Sequence, residues 1–190
     1  MSYRNLIDSR PKERCVILNT DSKGPFKIKG NYNGQNGMRH ILVVIDDYSS
    51  YKWVFFMKDV KDIPDILINL LKNLDRQFKD TPVKILRSDG HRVFRFGRIM
   101  TYCKDVGIKQ EFSHLYCQEE NGGPERYNRT LMESTRNLLD TASIPDYLWP
   151  EAADYSNDLL NRLKSKRIGM SPYEKFGLGR PDLCVTPTFG

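Results

Sequence analysis

Val83-Lys84-Ile85-Leu86-Arg87-Ser88-Asp89 is a mostly apolar run closed by an aspartate, and Val16-Ile17-Leu18-Asn19-Thr20-Asp21 is a second one. Short runs of this kind predict two strands that deliver Asp21 and Asp89 at their carboxyl ends. A third acid, Glu125, opens a helix-like stretch, and 35 residues separate it from Asp89.

Three carboxylates drawn to one place repel. A like-charged pair about 4 Å apart costs on the order of 4 kcal/mol at an effective dielectric near 20. Such a site is poor by itself and good around a divalent cation. Mg²⁺ and Mn²⁺ prefer hard oxygen ligands and leave positions for water and phosphate oxygens. Two such ions roughly 4 Å apart activate an attacking hydroxyl and stabilise the leaving oxygen of an in-line displacement. Asp21, Asp89 and Glu125 are therefore the candidate catalytic and metal-ligating residues of a phosphodiester chemistry that needs no histidine or cysteine.

The rest of the chain builds outward from these strands. The run Ile41-Leu42-Val43-Val44-Ile45, within 40–47, reads as a strand buried on both faces. Residues 51–57 read as a third strand, and 26–40, rich in Gly and Asn, as a hairpin connection. Ile63, Ile66, Leu67, Leu70, Leu71, Leu74 and Phe78 recur at helical spacing over 62–79, with Pro64 in the first turn, where proline is tolerated. A strand at 83–88, a short helix at about 96–105 and a strand near 108–113 follow. Helices at 124–142 and 147–163 come next, and from Gly169 the chain reads as loop. In the first of these last helices, Leu131, Thr135, Leu138 and Ala142 share one face; Glu125, Arg129, Met132 and Arg136 share another. That second face suits either an approach to DNA or plain solvation.

At 190 residues with 39% hydrophobic and 28% charged content, the chain suits one globular domain with a real core. Its net charge of +6 favours polyanion partners, nucleic acid first. Cys15, Cys103, Cys117 and Cys184 are scattered, and with His40, His91 and His114 they form no zinc-type spacing. They read as reduced, intracellular thiols. No stretch approaches the length of a membrane span, and Met1 to Cys15 carries no signal-peptide apolar region.

Taken in order, the segments Thr20-Asp21 with Gly24-Pro25, Ile45-Asp46-Asp47-Tyr48-Ser49 with Trp53, and Leu86-Arg87-Ser88-Asp89 form a pattern. It continues through Asn121-Gly122 before Glu125-Arg126, Asn128-Arg129-Thr130, Leu148-Trp149 with Glu151-Ala152, Asn161-Arg162, Ser171-Pro172-Tyr173-Glu174 and Phe189-Gly190. The pattern resembles the catalytic core of copia-type long-terminal-repeat retrotransposon integrases, members of the ribonuclease H-like superfamily of DDE polynucleotidyl transferases. The resemblance implies an α/β, ribonuclease H-like fold: a mixed five-stranded sheet, its first three strands antiparallel, with helices on both faces. It implies Asp21, Asp89 and Glu125 as ligands of Mg²⁺ or Mn²⁺. The implied partners are retroelement DNA ends and target DNA, contacted by Asn128, Arg129, Arg126 and Arg136, and a homodimer. The implied location is the nucleus, with the cytoplasm a further place. Asp46 and Asp47 fall in the family's strand-turn region, and Trp53 and Trp149 read as core.

The chain also departs from the family's pattern. After the second aspartate the family reads Asn-Gly-x-Glu-Phe, and here stands Gly90-His91-Arg92-Val93-Phe94. The segment 114–120 carries Glu119 and Glu120 where prolines and glutamines are usual, and Pro124 directly precedes Glu125, so the helix should begin at about 123–124. The division expected is a lead-in over 1–14, the catalytic core over 15–168 and a truncated extension over 169–190, without the zinc module and long C-terminal region of family integrases. Two readings compete with a working transferase: a catalytically silent nucleic-acid-binding remnant or co-opted interaction module, and a ribonuclease H-type nuclease.

Overall fold

The computed structural model describes residues 11–112 and 122–183. Five strands form the main sheet: β1 (Ile17–Lys23), β4 (His40–Asp46), β5 (Lys52–Met57), β6 (Ile85–Ser88) and β7 (Lys109–Phe112). Their order is β5-β4-β1-β6-β7. β1 pairs antiparallel with β4, β4 antiparallel with β5, and β1 and β7 flank β6 in parallel. This is the mixed sheet expected, with its first three strands antiparallel. The connection between β1 and β4 is itself a hairpin of β2 (Gly30–Tyr32) and β3 (Gln35–Met38). It lies against the helix α5 (Trp149–Arg162). A Cβ on Gly30 would stand 2.4 Å from Pro150 Cγ, so only glycine permits that approach.

Each helix follows from its apolar stripe. α1 (Ile63–Gln77) turns Ile63, Leu67, Leu70, Leu71 and Leu74 inward, and Pro64 sits in its first turn. α2 (Arg92–Arg95) and α3 (Arg98–Val106) bury Phe94, Ile99 and Cys103 on the same side, against Leu18, Leu42, Val44, Met57 and Leu86 of the sheet. The opposite face of the sheet is covered by α4 (Gly122–Ala142) and α5. Tyr127 and Leu131 rest on Ile41, Val43 and Ile45, while Leu139 meets Met38, Trp149 and Ala152. β4 is therefore buried on both sides, as its unbroken apolar run requires. Trp149 is buried and packs on Phe26 and Phe56; Trp53 packs on Tyr51 and Phe176.

The loop expected from Gly169 contains a further helix, α6 (Pro172–Phe176). Ser171 and Glu174 form a reciprocal capping box, and proline occupies the first turn. Phe176 lies in the main core, so that core extends beyond residue 168. At the other end, Arg14 donates to the Phe176 carbonyl at 2.7 Å and stacks 4.3 Å over the Phe78 ring. Met132, assigned from the sequence to a polar face of α4, is instead buried, because α4 packs on both the sheet and α5. Cys15 and Cys103 are buried free thiols. Among the described residues no helix is long and apolar enough to cross a membrane. His114, Cys117, Glu119, Glu120, Asn121, Cys184 and Phe189-Gly190 lie outside the described residues, as does most of the lead-in.

Candidate functional site

The site is set by one rung of the sheet. β1 and β6 run parallel with Asn19 opposite Arg87. Side chains alternate along a strand, so Asp21 points to the same face as Asn19. Continuing the register by two residues sets Asp89, just beyond β6, beside Asp21. On the other side Asp21 pairs with Val43 of β4, whose side chain lies under α4.

α4 supplies the third acid. The Asn128 side-chain amide donates to Asp21 Oδ2 at 2.6 Å. Glu125 precedes Asn128 by three residues, on the same side of the helix and in its first turn. The electrostatics of Asp21 agree with this convergence. Burial pushes its carboxyl above the ordinary range, the Asn128 hydrogen bond pulls it back, Asp89 pushes it up again, the Ser22 amide lowers it and Glu125 raises it. Asp89 is steadied from the opposite direction: its Oδ1 accepts from the His91 amide at 3.1 Å. His91 in turn begins α2, its Nδ1 accepting from the Val93 amide at 3.4 Å.

Asp89 and Glu125 are both near enough to Asp21 for their charges to act on its carboxyl. Among the described residues no group of three His, Cys, Asp or Glu side chains is gathered tightly enough to form a metal cage. The donor set still suits a hard divalent cation, because a positive charge there would relieve both the burial of Asp21 and its two like-charged neighbours.

Asn128, expected from the resemblance to lie against DNA, is only 2% exposed and is tied to Asp21. Its Oδ1 has no hydrogen-bond partner among the described residues. Arg126, Arg129 and Arg136 are all exposed on α4. Asp46 and Asp47 take other parts. Asp46 is fully buried and accepts from the Cys15 amide (2.8 Å), the Ser49 amide (2.9 Å) and the Ser49 hydroxyl. Asp47 stands 3.8 Å from Arg87, which also holds Glu111 at 2.8 Å. Arg87 thus braces β6 to β7 and to the β4–β5 turn, two residues behind Asp21. The sequence offered only one hint of this brace, an arginine inside an apolar strand.

The chain is similar to known proteins in sequence and in fold. The chain is 28% identical over 149 residues to a retrovirus-related Pol polyprotein from transposon TNT 1-94 of Nicotiana tabacum, which spans 78% of this chain and 11% of that protein. It is 28% identical over 190 residues to the Pol polyprotein from transposon RE1 of Arabidopsis thaliana (100% and 12%). It is 25% identical over 195 residues to the transposon Ty1-DR6 Gag-Pol polyprotein of Saccharomyces cerevisiae (99% and 11%). The chain therefore spans about a tenth of the length of these relatives. No protein-family model matches it. Among solved structures, the HTLV-2 integrase catalytic core domain in complex with magnesium, a trimeric form, superposes with a TM-score of 0.61 at 16% identity, covering 88% of this chain and 99% of that one. The simian T-cell lymphotropic virus intasome, in complex with the PP2A regulatory subunit B56 gamma, gives 0.68 at 14% identity, covering 95% and 59%. The fold is the ribonuclease H-like fold of retroviral integrase catalytic cores, and the sequence relatives are retrotransposon Pol polyproteins.

Proposed function

We infer that the chain is an integrase catalytic core of retrotransposon origin, and propose that it carries out divalent-metal-dependent DNA strand transfer. The observation that supports this reading is the Asn128 to Asp21 hydrogen bond, which ties the start of α4 to β1, together with the charges of Asp89 and Glu125 acting on the Asp21 carboxyl. Asp21, Asp89 and Glu125 would hold Mg²⁺ or Mn²⁺, as two ions. Bound there, the ions would lower the barrier to deprotonating a hydroxyl and offset charge on the phosphate.

The chain's own residues do the rest. Asn128 fixes one Asp21 oxygen, leaving the other for the centre, and the His91 amide does the same for Asp89. Arg126, Arg129 and Arg136 face solvent on α4 and would take the phosphates of a DNA end, which Arg grips in a bidentate fashion. In the reaction a 3′-hydroxyl oxygen bonds to a target phosphorus as the opposite P–O bond breaks. The hydroxyl proton leaves and the departing 3′-oxygen gains one. A homodimer is expected for a core of this fold, and the DNA substrate sets its place in the nucleus.

Disintegration of a branched DNA by the purified chain, with Mg²⁺ or Mn²⁺ and an Asp89→Asn control, tests the proposal. Metal-dependent product absent from the control is the expected result. Absence of product from folded protein, together with no metal binding in a titration, would leave a silent nucleic-acid-binding remnant.

A further inference from the structure

We propose that Phe96, framed by Arg92, Arg95 and Arg98, is a stacking platform for an unpaired base of a nucleic acid held at the carboxylate centre. The proposal rests on the nucleic-acid reading of that centre and adds a residue that reads the bases rather than the backbone.

Phe96 is 61% exposed, more than any other large apolar side chain of the described residues. It is not a loose side chain on a loose loop. Phe94 and Ile99 on either side of it are fully buried. The Gln110 side-chain amide donates to the Phe94 carbonyl at 2.9 Å, tying α2 to β7, and the Phe96 amide donates to the Arg92 carbonyl at 3.2 Å. Phe96 itself is extended, and Gly97, with φ +81, turns the chain into α3. Two core anchors and two hydrogen bonds therefore hold an apolar ring out in water.

The ring's surroundings say what it would meet. Arg92, Arg95 and Arg98 are all exposed. The Arg95 guanidinium lies 5.2 Å over the Phe112 ring, and Arg98 pairs with Asp65 at 2.7 Å. Arg92 makes no ion pair among the described residues. α2 begins three residues after Asp89, and the Asp89 carboxylate accepts from the amide of His91, the residue that caps the helix, so a short, hydrogen-bonded stretch of chain joins this corner to Asp89. An aromatic face set among cations matches a nucleic acid: its bases stack on the ring and its phosphates meet the guanidiniums. A second copy of the chain fits less well, because a self-complementary contact through Phe96 and the exposed Met100 would bring like-charged arginines together.

The test is binding of single-stranded DNA carrying 2-aminopurine to the full chain in EDTA, where no cleavage intervenes. The expected result is quenching of the 2-aminopurine by the wild-type protein. Phe96→Ala should abolish the quenching and weaken binding about tenfold with unchanged Tm, and Phe96→Tyr should restore both. Arg92→Ala should weaken binding to every sequence alike and reduce the salt slope by about one. Equal quenching and affinity for wild type and Phe96→Ala overturn the proposal. So does light scattering that shows Phe96→Ala to abolish a dimer while leaving DNA binding intact, or folded wild-type protein that binds no oligonucleotide. Failure of disintegration with the quenching intact counts against the transferase reading alone; the reverse counts against the platform alone.

Discussion

Asp21 and Asp46 lie on neighbouring antiparallel strands, both near the end of an apolar run and both with carboxyls pushed up by burial. Their surroundings differ in kind. Asp46 is given donors on each side: the Cys15 amide, the Ser49 amide and the Ser49 hydroxyl. Three donors of its own chain answer its charge against one neighbouring acid, Asp47, and it knots the entry to β1 to the β4–β5 turn. Asp21 has the Asn128 amide and the Ser22 backbone, and beyond them two further acids. A buried carboxylate answered by its own chain is structural. One answered by more negative charge is incomplete until something positive arrives.

The comparison can be broken most forcefully at Asp46. Asp46→Ala would strand three buried donors, and each unsatisfied group costs about 1–3 kcal/mol. A loss of about 3 kcal/mol or more is expected, lowering Tm by ~10 °C for a domain of this size, with metal response retained in whatever remains folded. An unchanged melting curve would show Asp46 to be no knot at all.

At Asn128 the expected effect is smaller and falls on the other side of the comparison. Asn128→Ala should weaken Mg²⁺ binding and disintegration by about 10–100-fold, as for a group that orients a ligand, while duplex binding in EDTA changes little. Loss of EDTA-stage DNA binding instead would return Asn128 to the DNA contacts.

The smallest effect is a difference in pH profile. Because the folded protein raises the Asp21 carboxyl, that group's contribution to stability is full below the ordinary carboxylate value near 4 and is lost as pH rises through the higher folded value. Asp21→Asn escapes this loss. Without metal, its Tm should draw ahead of wild type as pH climbs through that window, and Mg²⁺ should close the gap by stabilising wild type alone. Parallel pH–Tm curves for the two proteins would mean Asp21 is as well answered as Asp46.

Much of this was legible before any coordinates. The apolar runs ending in Asp21 and Asp89 are strands, the stripe from Ile63 to Leu74 is a helix, and 26–40 holds a hairpin, because period and turn residues are local properties. Asn128 could be placed on Glu125's side of α4 by spacing. Whether that side meets DNA or Asp21 depends on how α4 rolls on the sheet, which Tyr127, Leu131 and Leu139 decide by packing on distant residues. The Ser171-Pro172-Tyr173-Glu174 signal was present, but five residues make a helix only when Phe176 has a core to enter. Met132 was misread for the same reason: a second packing partner, α5, widens the buried face of α4 beyond what one stripe suggests.

Arg14 grips the carbonyl of Phe176 and lies over Phe78. The entry to β1 and the end of α6 therefore lie within the reach of a single side chain. Arg14→Ala would release both contacts at once, while the Asn128 to Asp21 hydrogen bond across β1 involves neither. The two sides of the core are thus fastened to each other by one side chain, through a hydrogen bond and a ring contact.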